Sequence, residues 1–433
     1  MTYEESVNLL FTQLPMYQRQ GAPAYKANLE ATKRLCKAIG HPEKGLRFVH
    51  VAGTNGKGTV SHMLATALQL SGHRVGLFTS PHLMDFRERI RVDGACIDES
   101  SVVEFVERWQ RSEDWGTPSF FELTFAMALW HFQATQCDIV VLETGMGGRL
   151  DSTNVIPSAE VCVVTNVGLD HQAFLGSDIR SIAREKAGIF KHGVPVVLGA
   201  MRPEAQSEML AAALRTSSEV HFANDLVVDW DEASISDGSP FAVENARTAR
   251  CALDVLSAGG WALDAGAIQE AFISYASLSG QRGRWQWIRM KGQAEVVLDG
   301  AHNHDGVSGI IGALEKIVAQ RGCRLHVVWG AVADKSLDAI MSLLPSHASY
   351  HWCAADIPRA LPARDVATVR PSLKGELHVS PLAALQAALK EAANSDVVWV
   401  GGSLFVIGNV LRDAPQFIDG WTNEENEGEE SGR

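Results

Sequence analysis

Short apolar runs alternate with longer amphipathic stretches along most of the chain. "RFVHVA" (47–52) reads as a buried strand, "GTVSHMLATALQLSG" (58–72) as a helix stopped by Gly72, and "RVGLFTS" (74–80) as the next strand, which together make a βαβ unit. Further apolar runs, "DIVVLET" (138–144), "EVCVVTNVG" (160–168) and "GVPVVLGA" (193–200), carry no polar alternation, the mark of an all-parallel sheet covered on both faces. A Gly-rich polar stretch, "SLSGQRGRWQWI" (277–288), interrupts this pattern. After it, "EVVLDGAHN", "LHVVWGAV" and "DVVWVGG" read as parallel strands, with "GVSGIIGALEKIVAQ" and "PLAALQAALKEAAN" as helices. The pattern therefore predicts two α/β domains, the second smaller, with a boundary near Gly283.

Composition agrees with a globular chain and narrows its partners. The 433 residues are 46% hydrophobic and 21% charged, enough to bury large cores in two or three domains. With 51 acidic against 38 basic residues, the net charge is −13, which disfavours nucleic acid and anionic lipid as partners. The seven cysteines are scattered and contain no CxxC pair, so they suggest neither a disulfide framework nor a zinc site and fit a reducing cytoplasm. The amino-terminal segment lacks the basic start and apolar core of an export signal, and no apolar run has membrane-spanning length. The segment 423–433 is polar, acidic and expected to be disordered.

The candidate chemistry begins at "GTNGKGT". Only two residues separate Gly53 from Gly56, and Gly58 stands between Lys57 and Thr59, so the stretch breaks the usual P-loop spacing. It nevertheless leaves a strand and opens a helix, where backbone N–H groups and the helix N-terminus converge on an anion. Glycine lets the backbone approach phosphate, Lys57 supplies a mobile positive charge, and Thr59 a hydroxyl. The bland alternative is a glycine turn with a solvated lysine. Other loops at the carboxyl ends of the strands carry polar groups suited to a nucleotide and a hard metal: Ser80 and His82 in "TSPH", Glu143 in "ETGMGGRLDSTN", and Asp170 and His171 in "TNVGLDH". Each also has an ordinary reading. Ser80 precedes a proline and suits a turn, Glu143 suits an ion pair with Arg149, and His171 suits a backbone carbonyl.

"HVAGTNGKGT", "TSPHL" with "ERIRV", "LETGMGGRLDSTN", "LDHQAFLG", "EKAGIF" and "DGAHN", in this order from about residue 20 to about residue 410, resemble the folylpolyglutamate synthase and dihydrofolate synthase family, within the wider Mur ligase group. The resemblance implies an α/β fold: an N-terminal P-loop ATPase-like domain (1–283) with a mostly parallel sheet, a smaller C-terminal Rossmann-like domain (284–422), and the tail 423–433. It also implies an ATP-dependent ligase that joins L-glutamate to dihydropteroate and to reduced folates through an acyl phosphate, acting in the cytoplasm as a monomer. By resemblance, Thr54, Asn55, Gly56, Lys57, Gly58 and Thr59 wrap the ATP phosphates. Ser80, Glu143 and His171 hold magnesium, with two ions expected, and Lys186 in "REKAGIFK" is carbamylated. Asn245, Arg284 and Asp299 contact the nucleotide, with His302 near the phosphates, so ATP is expected between domains that close to exclude water.

For the acceptor, the resemblance points to Ser119, Phe120, Phe121 and Glu122 in "SFFE" and to Leu150, Asp151 and Ser152 after Arg149. Phe120 or Phe121 would stack on a pterin or benzoyl ring; their alternative is core packing at the start of "LTFAMALWHF". Lys57, Arg149 and magnesium are the candidates for drawing anionic substrates into an otherwise acidic protein. The sequence departs from the family in three places. "GAPAYKANLEATKRL" lacks a Leu-Gly pair that often accompanies the pterin site, His304 replaces the proline after "DGAHN", and Ser336 replaces the last aspartate after Asp334 and Lys335. Two other readings are a Mur-type ligase with a different acceptor, against which "SFFE" with "EKAGIF" argues, and a P-loop switch, against which the absent "NKxD" motif and the "DGAHN" and "GGSLF" loops argue.

Overall fold

The computed structural model describes residues 1–16, 28–112, 114–227, 230, 235, 239–333 and 337–415. Two compact units emerge, Met1–Asp237 with Phe241–Gln281, and Gly238–Pro240 with Arg282–Arg433. Residues 21–27 of the "GAPAYKANLEATKRL" segment lie outside the described residues, as do Asp334 to Ser336 and the tail 423–433.

In the first unit, β1 (Phe48–Ala52), β2 (Val75–Phe78), β3 (Ile90–Val92), β4 (Ala95–Cys96), β5 (Ile139–Glu143), β6 (Val161–Val164), β7 (Val196–Leu198) and β8 (Val220–Phe222) form one sheet in the order β4-β3-β2-β5-β1-β6-β7-β8. From β2 to β8 the pairing is parallel. Strand pleating sends neighbouring residues to opposite layers. Phe48 and Leu142 pack with Phe78 and Phe125 on one face, while Val49, Val51 and Val141 pack with Val60 and Leu64 of helix Lys57–Leu70 on the other. Each such side chain, fully buried, contributes about 1.5–3 kcal/mol. This two-sided burial explains the continuous apolar runs. Gly72 ends the helix as expected, at φ 92°.

The all-parallel expectation fails at one edge, where β3 runs antiparallel to both β2 and β4. Asp93 and Gly94, with φ of 49° and 77°, turn the chain tightly between β3 and β4, and a turn of that hand favours a hairpin. Strands of three and two residues are too short to write a periodic signal.

The second unit contains β9 (Gln286–Ile288), β10 (Glu295–Leu298), β11 (Leu325–Trp329), β12 (Ser349–Trp352), β13 (Gly375–Leu377) and β14 (Val397–Gly401), ordered β13-β12-β11-β14-β10-β9. Only β9 is antiparallel, so "QWI", read from sequence as part of a polar interruption, forms the edge strand. Trp329, Trp352 and Trp399 are fully buried, and the rings of Trp329 and Trp399 meet edge to face at 5.0 Å. Helices His304–Arg321 and Pro381–Glu391 correspond to the two expected after residue 304.

Candidate functional site

β1 delivers the chain into the "GTNGKGT" loop, and helix Lys57–Leu70 begins at Lys57 with no side-chain cap. An uncapped first turn presents N–H donors without intrahelical partners, the donors an anion would meet. Gly56 has φ 78°, and a Cβ there would overlap Asn245 Oδ1, so glycine is required on both counts. That close approach places Asn245 against the loop. Asn166, which the sequence reading passed over inside "TNVG", receives the N–H groups of Thr54 at 3.2 Å and Asn55 at 2.8 Å on Oδ1. Thr54 Oγ1 also accepts from Gly168 N–H at 2.9 Å, which ties the loop to the chain leaving β6. Lys57 Nζ donates to Thr54 O at 3.2 Å, folding the lysine back over its own loop.

Glu143 ends β5 beside the same loop. A Cβ on Gly58 would lie 3.7 Å from each carboxylate oxygen, and Ser80 N–H donates to Oε2 at 2.9 Å. Ser80 and Glu143 are thus brought together. A buried carboxylate next to an anion-binding helix start fits a hard cation such as magnesium, which prefers oxygen ligands. His171 sits in the left-handed region at φ 49°. Its N–H donates to Asp170 Oδ1 at 2.8 Å, and its ring Nε2 lies 3.9 Å from Oδ2. His82 accepts from Arg89 Nε at 2.8 Å through Nδ1; burial and the neighbouring Arg89 hold it well below the usual imidazole range. Arg89 itself is buried, with burial lowering its pKa to about 10 against the pull of Glu88 and Glu143. "ERIRV" contributed only to the resemblance, so this buried cation near Glu143 went unrecognised in the sequence.

Helix Ile179–Ala187 carries Lys186 into the same neighbourhood, where Nζ donates to Gly53 O at 2.6 Å. Burial, and then the charge of Lys57, lower its pKa to about 7, while Asp170 and Asp151 oppose the shift. The loop after β5 packs tightly on this helix: a Cβ on Gly148 would come 2.8 Å from the carbonyls of Glu185 and Lys186. Arg149, expected to draw anions, is more than half exposed and pairs with Glu185 at 2.8 Å. Asp151 accepts from Met146 N–H at 2.8 Å and from the Thr153 hydroxyl at 2.6 Å, so it shapes the "GMGGRLDST" turn, in which Leu150 is half-buried and Ser152 buried.

The "SFFE" residues divide by task. Ser119 and Glu122 form a reciprocal capping box that starts helix Phe120–Ala134. Phe120 is 3% exposed and stacks on Phe11 at 5.4 Å, the packing role of the two weighed for it. Phe121 is partly exposed, and a Cβ on Gly145 would touch its ring at 2.6 Å, which puts the ring over the loop that follows Glu143.

Arg284, Asp299 and His302 belong to the second unit. The two oxygens of buried Asp299 accept from Trp285 and Ala301 N–H, both at 2.8 Å; burial raises its pKa. His302 Nδ1 lies 2.8 Å from Gly300 O and so carries the ring proton. Arg284 is exposed. Asn303 caps helix His304–Arg321, accepting from Gly306 N–H, so His304 in place of proline leaves the helix start intact.

Residues 51–225 match the Mur ligase middle domain, and residues 283–404 the Mur ligase glutamate ligase domain. The chain is 32% identical to the dihydrofolate synthase/folylpolyglutamate synthase of Bacillus subtilis over 417 residues, covering 89% of this chain and 95% of that protein. It is 34% identical to a probable bifunctional folylpolyglutamate synthase/dihydropteroate synthase of Haloferax volcanii over 94% of its own length, and it spans 50% of that relative. Among solved structures, Escherichia coli FolC in complex with DHPP and ADP aligns with a TM-score of 0.81 at 29% identity, covering 98% of this chain and 99% of that one. Among the described residues, no helix is long and apolar enough to cross a membrane.

Proposed function

The chain belongs to the folylpolyglutamate synthase/dihydrofolate synthase family, and from that premise we propose that it uses ATP to join L-glutamate to dihydropteroate and to reduced folates. The observation that carries this reading is the convergence of the uncapped helix start at Lys57, buried Glu143 and buried Lys186 around one loop. An acceptor carboxylate oxygen takes the γ-phosphoryl group, releasing ADP. The glutamate amine then attacks the acyl carbon, phosphate leaves with the bonding electrons, and the amine proton is lost. The protein supplies no covalent nucleophile. Lys57 and the first-turn N–H groups face charge developing on the transferred phosphoryl group. Ser80, Glu143 and His171 would hold magnesium, which when bound neutralises phosphate charge. Asn245 supports the nucleotide loop from the first unit; Arg284, Asp299 and His302 are the second unit's proposed nucleotide and phosphate contacts.

Lys186 is the proposed site of carbamylation. Only the free amine attacks carbon dioxide, forming an N–C bond and losing a proton. A pKa of about 7 leaves about half of it as free amine at neutral pH. The product is an anion, suited to a metal where an ammonium would repel it. On the acceptor side, Phe121 offers a ring face beside the "GMGG" loop, and Leu150 and Ser152 edge the adjoining turn; Ser119, Phe120, Glu122 and Asp151 act by holding these in place.

ADP release with L-glutamate, measured separately with dihydropteroate and with a reduced folate monoglutamate, tests the reading. Turnover with both supports it. Turnover with the folate alone restricts the enzyme to polyglutamylation, and turnover with neither overturns the acceptor assignment.

A further inference from the structure

One face of the second sheet holds a cluster that the ligase reading does not use. Val328 pairs with His351, and His351 with Glu376, so His326 of β11, His351 of β12 and Glu376 of β13 share a face. Helix Pro381–Glu391 ends there with Glu391. His326 is fully buried and His351 is 1% exposed. The two carboxylate oxygens of Glu391 look at them: Oε1 lies 3.8 Å from His326 Nδ1, and Oε2 lies 3.4 Å from His351 Nε2. Both of these buried nitrogens lack a hydrogen-bond partner among the described residues. Such orphans are uncommon in a packed interior and disfavour the fold.

The proton inventory sharpens the point. Asp396 accepts from the N–H groups of Arg324 and Ala393, both at 2.9 Å. Both carboxylate oxygens thus act as hydrogen-bond acceptors. Being an acceptor only, Asp396 requires the proton of His326 to sit on Nε2, 3.3 Å away. A neutral His326 then points the Nδ1 lone pair at a carboxylate oxygen, an arrangement that repels unless a proton or a metal cation lies between them. His351 Nδ1 faces His378 Nε2 at 3.2 Å, which leaves its Nε2 turned to the same carboxylate. Ser349 Oγ fixes Glu391 by donating to Oε1 at 2.8 Å.

We propose that His326 Nδ1, His351 Nε2 and Glu391 bind a divalent transition-metal ion of the zinc class. Four-coordinate zinc with ligands at about 2.0–2.2 Å spaces neighbouring donor atoms by about 3.3–3.6 Å, close to the 3.4 and 3.8 Å found. One donor atom from each of His326, His351 and Glu391 lies within 4.8 Å of the other two. Asp396 behind His326 completes the carboxylate–histidine arrangement that orients metal-bound imidazoles. Glu391, 44% exposed, gives the ion a way in and leaves a coordination position for water. Two imidazoles with one carboxylate favour zinc or cobalt over magnesium, so this site is chemically distinct from the oxygen-rich one at Glu143.

Equilibrium dialysis of the full metal-free chain against zinc, with magnesium in large excess, tests the proposal. One zinc per chain is expected. Glu391→Gln, at a half-exposed helix end where folding is not at stake, should weaken zinc binding at least about tenfold, and Asp396→Asn by about 10–100-fold. Cobalt in place of zinc should give the visible absorption of a four-coordinate site, lost in Glu391→Gln. Failure to retain zinc under magnesium, or retention unaltered by Glu391→Gln, would overturn the assignment.

Discussion

The two units bury different mixtures of charge at the carboxyl ends of their sheets. Around β1, β2 and β5, the first unit buries both signs: Lys186 donates to the Gly53 carbonyl and Arg89 to the His82 ring, while Glu143 accepts from Ser80 N–H. After β10, the second unit buries an acid, Asp299, on two backbone N–H donors. Desolvated charge is expensive, and fixing it in advance makes sense where a reacting group brings the opposite sign. The first edge is therefore prepared for a phosphoryl group and an acceptor carboxylate. The second is prepared to accept hydrogen bonds.

The contrast breaks most sharply at Lys57. Lys57→Ala should lower kcat about 100- to 1000-fold with the fold unchanged, measured as ADP release beside a thermal melt. A loss below tenfold would remove the loop lysine from the chemistry.

Lys186 separates function from stability. Its pKa is about 7 in the folded chain against an ordinary 10.5, so the unfolded chain binds the extra proton between these values. The resulting destabilisation is full below pH 7 and disappears above about pH 10.5. Lys186→Met should accordingly abolish turnover yet raise the Tm of carbon dioxide-free protein at pH 7, by a margin that shrinks as pH rises toward 10. In the wild-type chain, reactivation of depleted enzyme by carbon dioxide should run about tenfold slower at pH 6 than at pH 8, because the free-amine fraction falls by that factor.

The adjacent phenylalanines give a smaller, two-sided effect. Phe120→Ala should destabilise the chain by about 3–5 kcal/mol in denaturant melts. Phe121→Ala should leave stability nearly intact and raise KM for dihydropteroate about tenfold, the worth of one aromatic contact. Equal effects on both measurements would erase the distinction between them. Smallest of all, Arg149→Ala should change stability by less than about 1 kcal/mol, since its ion pair with Glu185 is largely solvated.

Much of the first unit was legible because parallel strands buried on both faces write uninterrupted apolar runs, and because the loop residues of the site are nearly contiguous in sequence. Gly56 and Lys57 could be read from their place between a strand and a helix. Asn166 and Arg89 could not, since their importance comes from which loops the sheet order places side by side. The antiparallel edge escaped for a different reason, its strands being too short to show a period. Arg149 misled because a cation in a motif says nothing about exposure. In the second unit, His326, His351 and Glu391 meet only through the pairing of β11 with β12 and the helix laid over them, so no spacing along the chain announces the cluster.

The central claim is that the first unit's loop transfers a phosphoryl group to a carboxylate oxygen. It is tested most directly by supplying dihydropteroate labelled with oxygen-18 in its carboxylate, together with ATP, magnesium and L-glutamate, and weighing the released phosphate. The account predicts one labelled oxygen in each inorganic phosphate, alongside ADP. Unlabelled phosphate, or label carried into AMP, would contradict it.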